Sequence, residues 1–272
     1  MALAPEPGGR WATDAFSVTR GLTPIPDNSL PLGARAFELS GCPRVRCGYL
    51  WPADGPIALL LHGWGVDSSS MLSLIAPLRD AGFAVAAFDA PGHGVSPGNQ
   101  ATMTEYVDAA AAVIGELGEV RVIVAHSLGA IAAASALSAH DPGVERIVLL
   151  APTCTLAGVL ERWQPDGLWR SRSAWNSIYA ELHRRNGVPV GHWDVATLGS
   201  RLTCPILAIH DPDDDVVPFS ETQAIAAALG DVRVLSAPGR GHAGILMASE
   251  VKRAVGEFVA DRECAAVGGN AR

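Results

Sequence analysis

The residues best suited to chemistry lie in a turn that follows an apolar segment. Residues 122–130 read VIVAHSLGA, so an apolar strand leads into a turn with Ser127 at its tip, and an alanine-rich helix follows. This strand-turn-helix context is the one that a nucleophile elbow requires, with the small residues Ala125 and Gly129 on either side of a sharp bend. A serine that only caps the following helix is the alternative interpretation.

A serine hydroxyl is a weak nucleophile at neutral pH and needs a neighbouring base, normally a histidine oriented by a carboxylate. Among the eight histidines, His242 stands in the glycine-rich segment APGRGHAG after the last predicted strand, free to reach over the edge of a sheet. His62, His93 and His126 lie in turn motifs, where local hydrogen bonding is the simpler role. His242 is therefore the predicted base.

The carboxylate is expected on a loop between the serine and the histidine in chain order. Residues 210–218 read HDPDDDVVP directly after a predicted strand and offer four aspartates. The spacing back from Val217 favours Asp214, and Asp213 and Asp215 remain alternatives.

The same aspartate run has a rival interpretation as a calcium-binding loop. Asp211, Asp213 and Asp215 have the first three spacings of an EF-hand, but Val216 stands where that loop needs glycine and Thr222 where it needs glutamate. The chain also lacks a phosphate-binding P-loop and a dinucleotide-binding glycine fingerprint. We expect no metal and no cofactor.

A second glycine-flanked turn, HGWG at residues 62–65, follows the apolar run 57–61. Two fixed backbone donors in a dry site stabilise the oxyanion that forms when a hydroxyl attacks an ester, each by roughly 3 kcal/mol. We expect the N–H groups of Trp64 and Leu128 to be this pair, with the Trp64 side chain in the pocket wall. A tight glycine turn with no catalytic part is the alternative.

The elements that must position these residues alternate along the chain. Short apolar runs predict strands and longer amphipathic or apolar patterns predict helices, an order typical of an α/β fold with a mostly parallel central sheet and helices on both faces. The predicted strands are 45–51, 57–61, 83–88, 120–125, 145–151, 205–210 and 232–236. The predicted helices are 70–81, 102–117, 128–139, 221–229 and 246–261, of which the second begins with a Thr102/Glu105 capping box.

Four segments are expected along the chain. Residues 1–35 are rich in proline and glycine and predict an irregular arm with at most a short strand; 36–154 and 204–262 form the core. Residues 155–203 lack a convincing strand and predict a small helical insertion, because a structureless loop of that length is improbable in a compact domain. Residues 263–272 predict a flexible tail.

Composition excludes several classes of protein. The chain has 272 residues, 49% hydrophobic and 18% charged, and a formal net charge of -8, which argues against a nucleic-acid partner.

No apolar run is long enough to span a membrane, and the first residues, MALAPEPGGRW, do not resemble a secretory signal. The five cysteines are odd in number and favour reduced thiols. We expect a cytoplasmic protein whose partner is a small molecule; the oligomeric state is left open.

The ordered motifs HGWG, FDAPGHGVS, AHSLG, HDPDDDVVP and GRGH resemble the α/β-hydrolase superfamily over about residues 45–259. The resemblance implies an α/β-hydrolase fold and a serine hydrolase with nucleophile Ser127, base His242 and acid Asp214, acting on a carboxylic ester or thioester through an acyl-enzyme. Asp211 stands where the family pattern commonly has glycine, which bears on the shape of that loop. Asp89 and His93 match a structural turn.

The resemblance also implies that 155–203 forms a cap over the substrate pocket. Its tryptophans line either that pocket or the packing of the cap; they are Trp163, Trp169, Trp175 and Trp193. An acyltransferase or a C–C hydrolase would use the same triad, and a noncatalytic ligand-binding protein would use the same fold.

Overall fold

The computed structural model describes residues 5–19, 30–139, 143–163 and 172–261. Eight strands form one sheet: β1 (Arg35–Phe37), β2 (Gly48–Trp51), β3 (Ile57–Leu61), β4 (Ala84–Phe88), β5 (Val120–His126), β6 (Arg146–Leu150), β7 (Ile206–His210) and β8 (Val232–Ser236). Their order is β1-β2-β4-β3-β5-β6-β7-β8, with β2 antiparallel to both of its neighbours and β3 to β8 mutually parallel. The predicted mostly parallel sheet is confirmed.

Ten α-helices surround this sheet in the described part of the chain. They are α1 (Pro5–Phe16), α2 (Ile75–Asp80), α3 (Met103–Leu117), α4 (Gly129–Ala139), α5 (Leu156–Arg162), α6 (Arg172–Asn186), α7 (Val195–Leu198), α8 (Phe219–Ala228), α9 (Gly241–Gly244) and α10 (Ser249–Ala260). Short 3-10 helices occupy Ser68–Leu74, Val190–His192 and Gly199–Arg201. None of the helices described has the length and apolar character of a membrane span.

The sheet has a hydrophobic core on each face because successive side chains of a strand point to opposite sides. In β3, Leu59 and Leu61 join the core with α3, α4 and α8, whereas Ala58 and Leu60 join the core with α2 and α10. Every residue of β4 is buried, as expected for a strand covered on both faces. The prediction of helices on both faces is confirmed.

Two helix predictions follow local rules closely. The Thr102 hydroxyl accepts from the Glu105 N–H at 3.2 Å, and the Glu105 carboxylate accepts from the Thr102 N–H at 2.8 Å, so the predicted capping box starts α3. The alanine-rich α4 is buried on nearly all sides between the sheet and its neighbours.

The N-terminal arm differs from its prediction. Pro5–Phe16 forms α1 rather than an irregular segment, and Arg35–Phe37 adds an edge strand. The prolines fall in the first turn, where a missing N–H costs nothing. Gly9 lies against Ser177 of α6, where a Cβ atom would come within 2.6 Å of the Ser177 Cβ. The glycine that reads as a helix breaker therefore allows two helices to approach closely.

Between β6 and β7, the described parts of the insertion contain α5, α6, α7 and two 3-10 helices. Apart from one isolated bridge, between Thr155 and Asp194, they show no strand pairing. Residues 155–163 and 172–203 are called the cap segment below. It is held to the core through Asn186, whose side-chain carbonyl accepts from the Thr104 N–H at 3.1 Å and whose backbone carbonyl accepts from the Thr104 hydroxyl at 2.7 Å.

Candidate active site

Ser127 lies at the carboxyl end of the central strand β5, in a strained backbone conformation. Its φ is +53°, in the left-handed region that side-chain-bearing residues rarely adopt. The Ser127 N–H donates to the Leu150 carbonyl at 3.0 Å, and its carbonyl accepts from the Thr153 N–H at 3.2 Å. The neighbouring strand β6 therefore holds the bend that exposes the hydroxyl.

The bend needs a glycine two residues after the serine for a specific reason. A Cβ atom on Gly129 would lie 2.6 Å from the Leu61 carbonyl oxygen and 2.9 Å from that of His62. The first turn of α4 therefore packs directly on the end of β3. This contact places the HGWG turn beside Ser127.

His242 is brought to the serine by the loop that follows β8. Its Nε2 lies 3.0 Å from Ser127 Oγ, and its Nδ1 lies 2.8 Å from Asp214 Oδ2. An ionised carboxylate is only an acceptor, so Nδ1 carries the proton and the unprotonated Nε2 faces the hydroxyl. The imidazole has the tautomer that a general base needs.

Asp214 is fixed more firmly than its neighbours in the aspartate run. Its Oδ1 accepts from the N–H groups of Val216 and Val217 at 2.8 and 2.9 Å, while Asp213 and Asp215 are exposed. Burial opposes ionisation of Asp214, but the hydrogen bonds from Val217, His242 and Val216 outweigh it and lower the pKa of the carboxyl below its ordinary value. The geometry selects Asp214 among the alternatives that the sequence left open.

His210 is a further partner of Asp214 that the sequence analysis did not single out. Its Nε2 donates to Asp214 Oδ2 at 3.2 Å and to the Val217 carbonyl at 3.0 Å, and its Nδ1 accepts from the Thr222 hydroxyl at 2.6 Å. Burial lowers the pKa of His210, which keeps the ring neutral. The position of His210, at the end of β7 beside the acid loop, was the available signal.

Asp211 connects the loop of Asp214 to the loop of His242. One carboxylate oxygen accepts from the Asp213 N–H at 3.0 Å, and the other accepts from the Gly241 N–H at 2.5 Å. The bonds from Gly241 and Asp213 lower the pKa of Asp211. The aspartate that departs from the family pattern therefore shapes the loop by a contact across the site.

The two expected oxyanion donors lie in the turns that flank the serine. Gly63 packs so closely that a Cβ atom there would be 3.1 Å from Ser127 Cβ, which brings the N–H of Trp64 next to the bend. Among the residues that the structure describes, neither the Trp64 N–H nor the Leu128 N–H is paired with an acceptor. Their role as a pair of oxyanion donors stays a prediction.

A cavity of about 880 Å³ opens onto Ser127 and His242. Most of its described lining is apolar, from the core, the cap segment and the end of α1. The charged lining residues are Arg162 and Asp215. Arg162 is paired with Glu221 at 2.5 Å, and Glu221 also accepts from the Cys154 N–H at 2.6 Å. The cavity suits a substrate with a substantial apolar part.

The tryptophans of the insertion have different positions. Trp163 lines the cavity, as does Trp64 of the HGWG turn. Trp175 and Trp193 are not among the described lining residues. Trp175 packs on Tyr179 within α6, and Trp193 of the cap segment is buried in the hydrophobic core. Of the two alternatives left open by the sequence, these contacts favour packing for Trp175 and Trp193, whereas Trp169 lies outside the described residues.

Comparison with known proteins agrees with this architecture. The chain is 25% identical to a pimeloyl-[acyl-carrier protein] methyl ester esterase of Aromatoleum aromaticum, over 70% of this chain and 92% of that protein. It is 26% identical to a bifunctional esterase/perhydrolase of Acinetobacter calcoaceticus, over 70% and 86% of the two chains.

Solved structures show the same fold at lower sequence identity. The Pyrococcus furiosus esterase Pf2001 superposes with a TM-score of 0.65 and 18% identity, over 87% of this chain and 98% of that one. Est1E from Butyrivibrio proteoclasticus gives a TM-score of 0.64 and 20% identity, over 83% and 97%.

The family model described as the alpha/beta hydrolase family matches residues 58–255, which span the serine, the aspartate and the histidine of the site. The chain therefore belongs to the alpha/beta hydrolase family of enzymes.

Proposed function

We propose that this enzyme is a serine esterase that cleaves a carboxylic ester or thioester through an acyl-enzyme, with Ser127, His242 and Asp214 as its catalytic triad. The observation that carries the proposal is the continuous hydrogen-bonded chain from Ser127 Oγ through both ring nitrogens of His242 to Asp214. The esterase relatives support the same reaction class.

In the first step, the Ser127 oxygen attacks the ester carbonyl carbon while His242 Nε2 takes the hydroxyl proton. The carbonyl oxygen becomes an oxyanion, which accepts from the N–H groups of Trp64 and Leu128. Asp214 stabilises the imidazolium that forms. The tetrahedral intermediate then collapses, and His242 returns the proton to the departing alkoxide or thiolate.

In the second step, water attacks the acyl-enzyme. His242 Nε2 takes a proton from the water, the oxyanion forms at the same donors, and the bond to Ser127 Oγ breaks as the serine recovers its proton. The product is a carboxylic acid. This sequence uses only groups of the chain and water.

The size and lining of the cavity favour a small to medium, partly apolar substrate. Its volume of about 880 Å³ lies within the range of small-molecule sites, roughly 300–1,000 Å³. A short panel of p-nitrophenyl esters and acyl-CoA thioesters, with and without added alcohol, separates ester hydrolysis from thioester hydrolysis and acyl transfer.

A serine-directed fluorophosphonate tests the proposal directly. We expect one label per chain on the Ser127 peptide, no labelling of Ser127→Ala, and normal labelling of Ser138→Ala, which removes another serine hydroxyl on the following helix. A folded wild-type protein that binds ligands but takes up no label would instead support a noncatalytic ligand-binding protein.

A further inference from the structure

The end of α1 forms part of the cavity although it precedes the region matched by the family. Residues 15–18 line the same cavity as Ser127, whereas the family match begins at residue 58. This wall of the cavity is therefore supplied by a segment outside the matched family region.

The segment is fastened both to the core and to the cap. The Ser17 carbonyl accepts from the Ala101 N–H at 3.1 Å, and Val18 forms a β-bridge with Gln100. On the other side, Asp14 pairs with Arg185 of α6 at 2.7 Å. Contacts on two sides fix the backbone of residues 15–18, so the wall is already formed before a ligand binds.

Aromatic side chains meet at this wall. Phe16 and Trp163 form an edge-to-face pair with ring centres 5.2 Å apart, and both rings line the cavity. The Trp64 ring also lines it, and its Nε1–H donates to the Val18 carbonyl at 3.0 Å. Phe16 and Trp163 are only half-buried, so part of each ring is available for contact.

We propose that Phe16 and Trp163 form a subsite for an aromatic group of the ester substrate, which makes Phe16 a specificity-determining residue. This inference rests on the proposed esterase function. A third ring gains edge and face contacts with the existing pair beyond the burial of its area, whereas a saturated ring of similar size gains only the burial. The subsite thus favours an aryl group over an alicyclic one.

The test compares the hydrolysis of four esters. The rate is measured as the release of acid at constant pH. Methyl 3-phenylpropanoate carries the ring on the acyl side, benzyl acetate carries it on the alcohol side, methyl 3-cyclohexylpropanoate is the saturated match, and methyl butanoate is the reference. We expect the wild type to favour one of the two aromatic esters over the cyclohexyl ester and methyl butanoate. The identity of the favoured aromatic ester shows which side of the ester enters the subsite.

Phe16→Leu keeps an apolar side chain at the wall but removes the ring. We expect kcat/KM for the preferred aromatic ester to fall roughly tenfold and that for methyl butanoate to change by less than about twofold. Trp11→Leu, on the exposed side of the same helix, is the matched control and should leave both values unchanged. Equal losses on every ester, or an unchanged aromatic preference in Phe16→Leu, would overturn the subsite.

A binding experiment separates failure of the subsite from failure of the esterase proposal. The amide that matches the preferred ester, 3-phenylpropanamide for the acyl side or N-benzylacetamide for the alcohol side, should bind to Ser127→Ala, measured by calorimetry, and roughly tenfold more weakly when Phe16→Leu is added. If fluorophosphonate labels Ser127 while the amide binds equally well to both proteins, the subsite is wrong and the esterase proposal survives. If the amide binds as expected but Ser127 takes up no label, the esterase proposal is wrong and aromatic binding at Phe16 and Trp163 survives.

Discussion

His126 Nε2 donates to the carbonyl oxygen of His242 at 3.0 Å, so the residue before the proposed nucleophile holds the backbone of the proposed base. The other ring nitrogen of His126 is buried and has no hydrogen-bond partner in the described part of the chain. Burial, reinforced by repulsion from His242, lowers the pKa of His126 to about 4. The ring is therefore neutral in the folded enzyme near neutral pH.

This arrangement predicts an acid-sensitive contribution to stability. An unfolded histidine has a pKa of about 6.5, so between about pH 6.5 and pH 4 the unfolded chain binds the proton that folded His126 excludes. The free energy of unfolding should fall across this window by up to about 3 kcal/mol on account of His126. Urea unfolding at a series of pH values measures the fall.

His126→Gln replaces the ring N–H by a side-chain amide N–H that still donates to the His242 carbonyl, and it removes the titrating ring. We expect a shallower loss of stability below pH 6.5 than in the wild type. Some loss should persist because burial also lowers the pKa values of His62 and His210. Parallel stability curves for the two proteins would contradict the assignment to His126.

Asp214→Asn should lower kcat by roughly 10³–10⁴-fold with little change in fold, because an amide no longer holds the imidazole in the required tautomer. Asp213→Asn, in the same loop but exposed, is the matched control and should retain nearly full activity. Steady-state kinetics with circular dichroism as a check on folding decides between them. Comparable losses in both variants would reopen the choice of acid.

Asp211→Ala should lower kcat by roughly 10- to 100-fold, because the loop that carries His242 loses its bond from the Gly241 N–H and the imidazole moves from Ser127. Glu250→Gln weakens an exposed ion pair with Arg240 of the same loop and should have little effect. The initial rate of fluorophosphonate labelling reports the position of the base directly. A normal labelling rate in Asp211→Ala would show that the loop of His242 keeps its position without the hydrogen bond to Asp211.

Two glycine substitutions should have opposite effects on stability. Gly129→Ala places a methyl group 2.6 Å from the Leu61 carbonyl oxygen and should destabilise the fold by about 2 kcal/mol or more. Gly115→Ala lies in the exposed interior of α3 with no atom within 4 Å of the added methyl and should stabilise it by about 0.4–1 kcal/mol. Thermal or urea unfolding measures both changes, and a neutral Gly129→Ala would contradict the close packing of α4 on β3.

The sequence predicted the central strands well because they are buried and therefore mostly apolar. The run at 57–61 was located to the residue, and the run at 205–210 to within one. The edge strand Arg35–Phe37 was missed because its residues are exposed or half-buried and carry no apolar run. Helix α1 was missed because Gly9 reads as a helix breaker in the sequence. Only its close contact with Ser177 explains why a glycine stands in this helix.

In the site, too, the residues in local sequence motifs could be predicted, whereas the contacts between distant segments could not. Ser127 and His242 stand in local motifs, so their proximity could be predicted from the order of the strands. The bonds from the Gly241 N–H to Asp211 and from His126 to the His242 carbonyl join segments that are far apart in the chain, and no spacing rule specifies them. Likewise, no periodicity distinguishes Trp163, which faces the cavity, from Trp193, which is buried.

The double attachment of α6 has a consequence for how substrate enters. This helix is tied to α3 through Asn186 and Thr104, and to α1 through Arg185 and Asp14. An outward movement of this helix would have to break both ties. Val18 and Val216 line the cavity and are exposed to solvent, so we expect substrate to enter past these two side chains without an outward movement of α6.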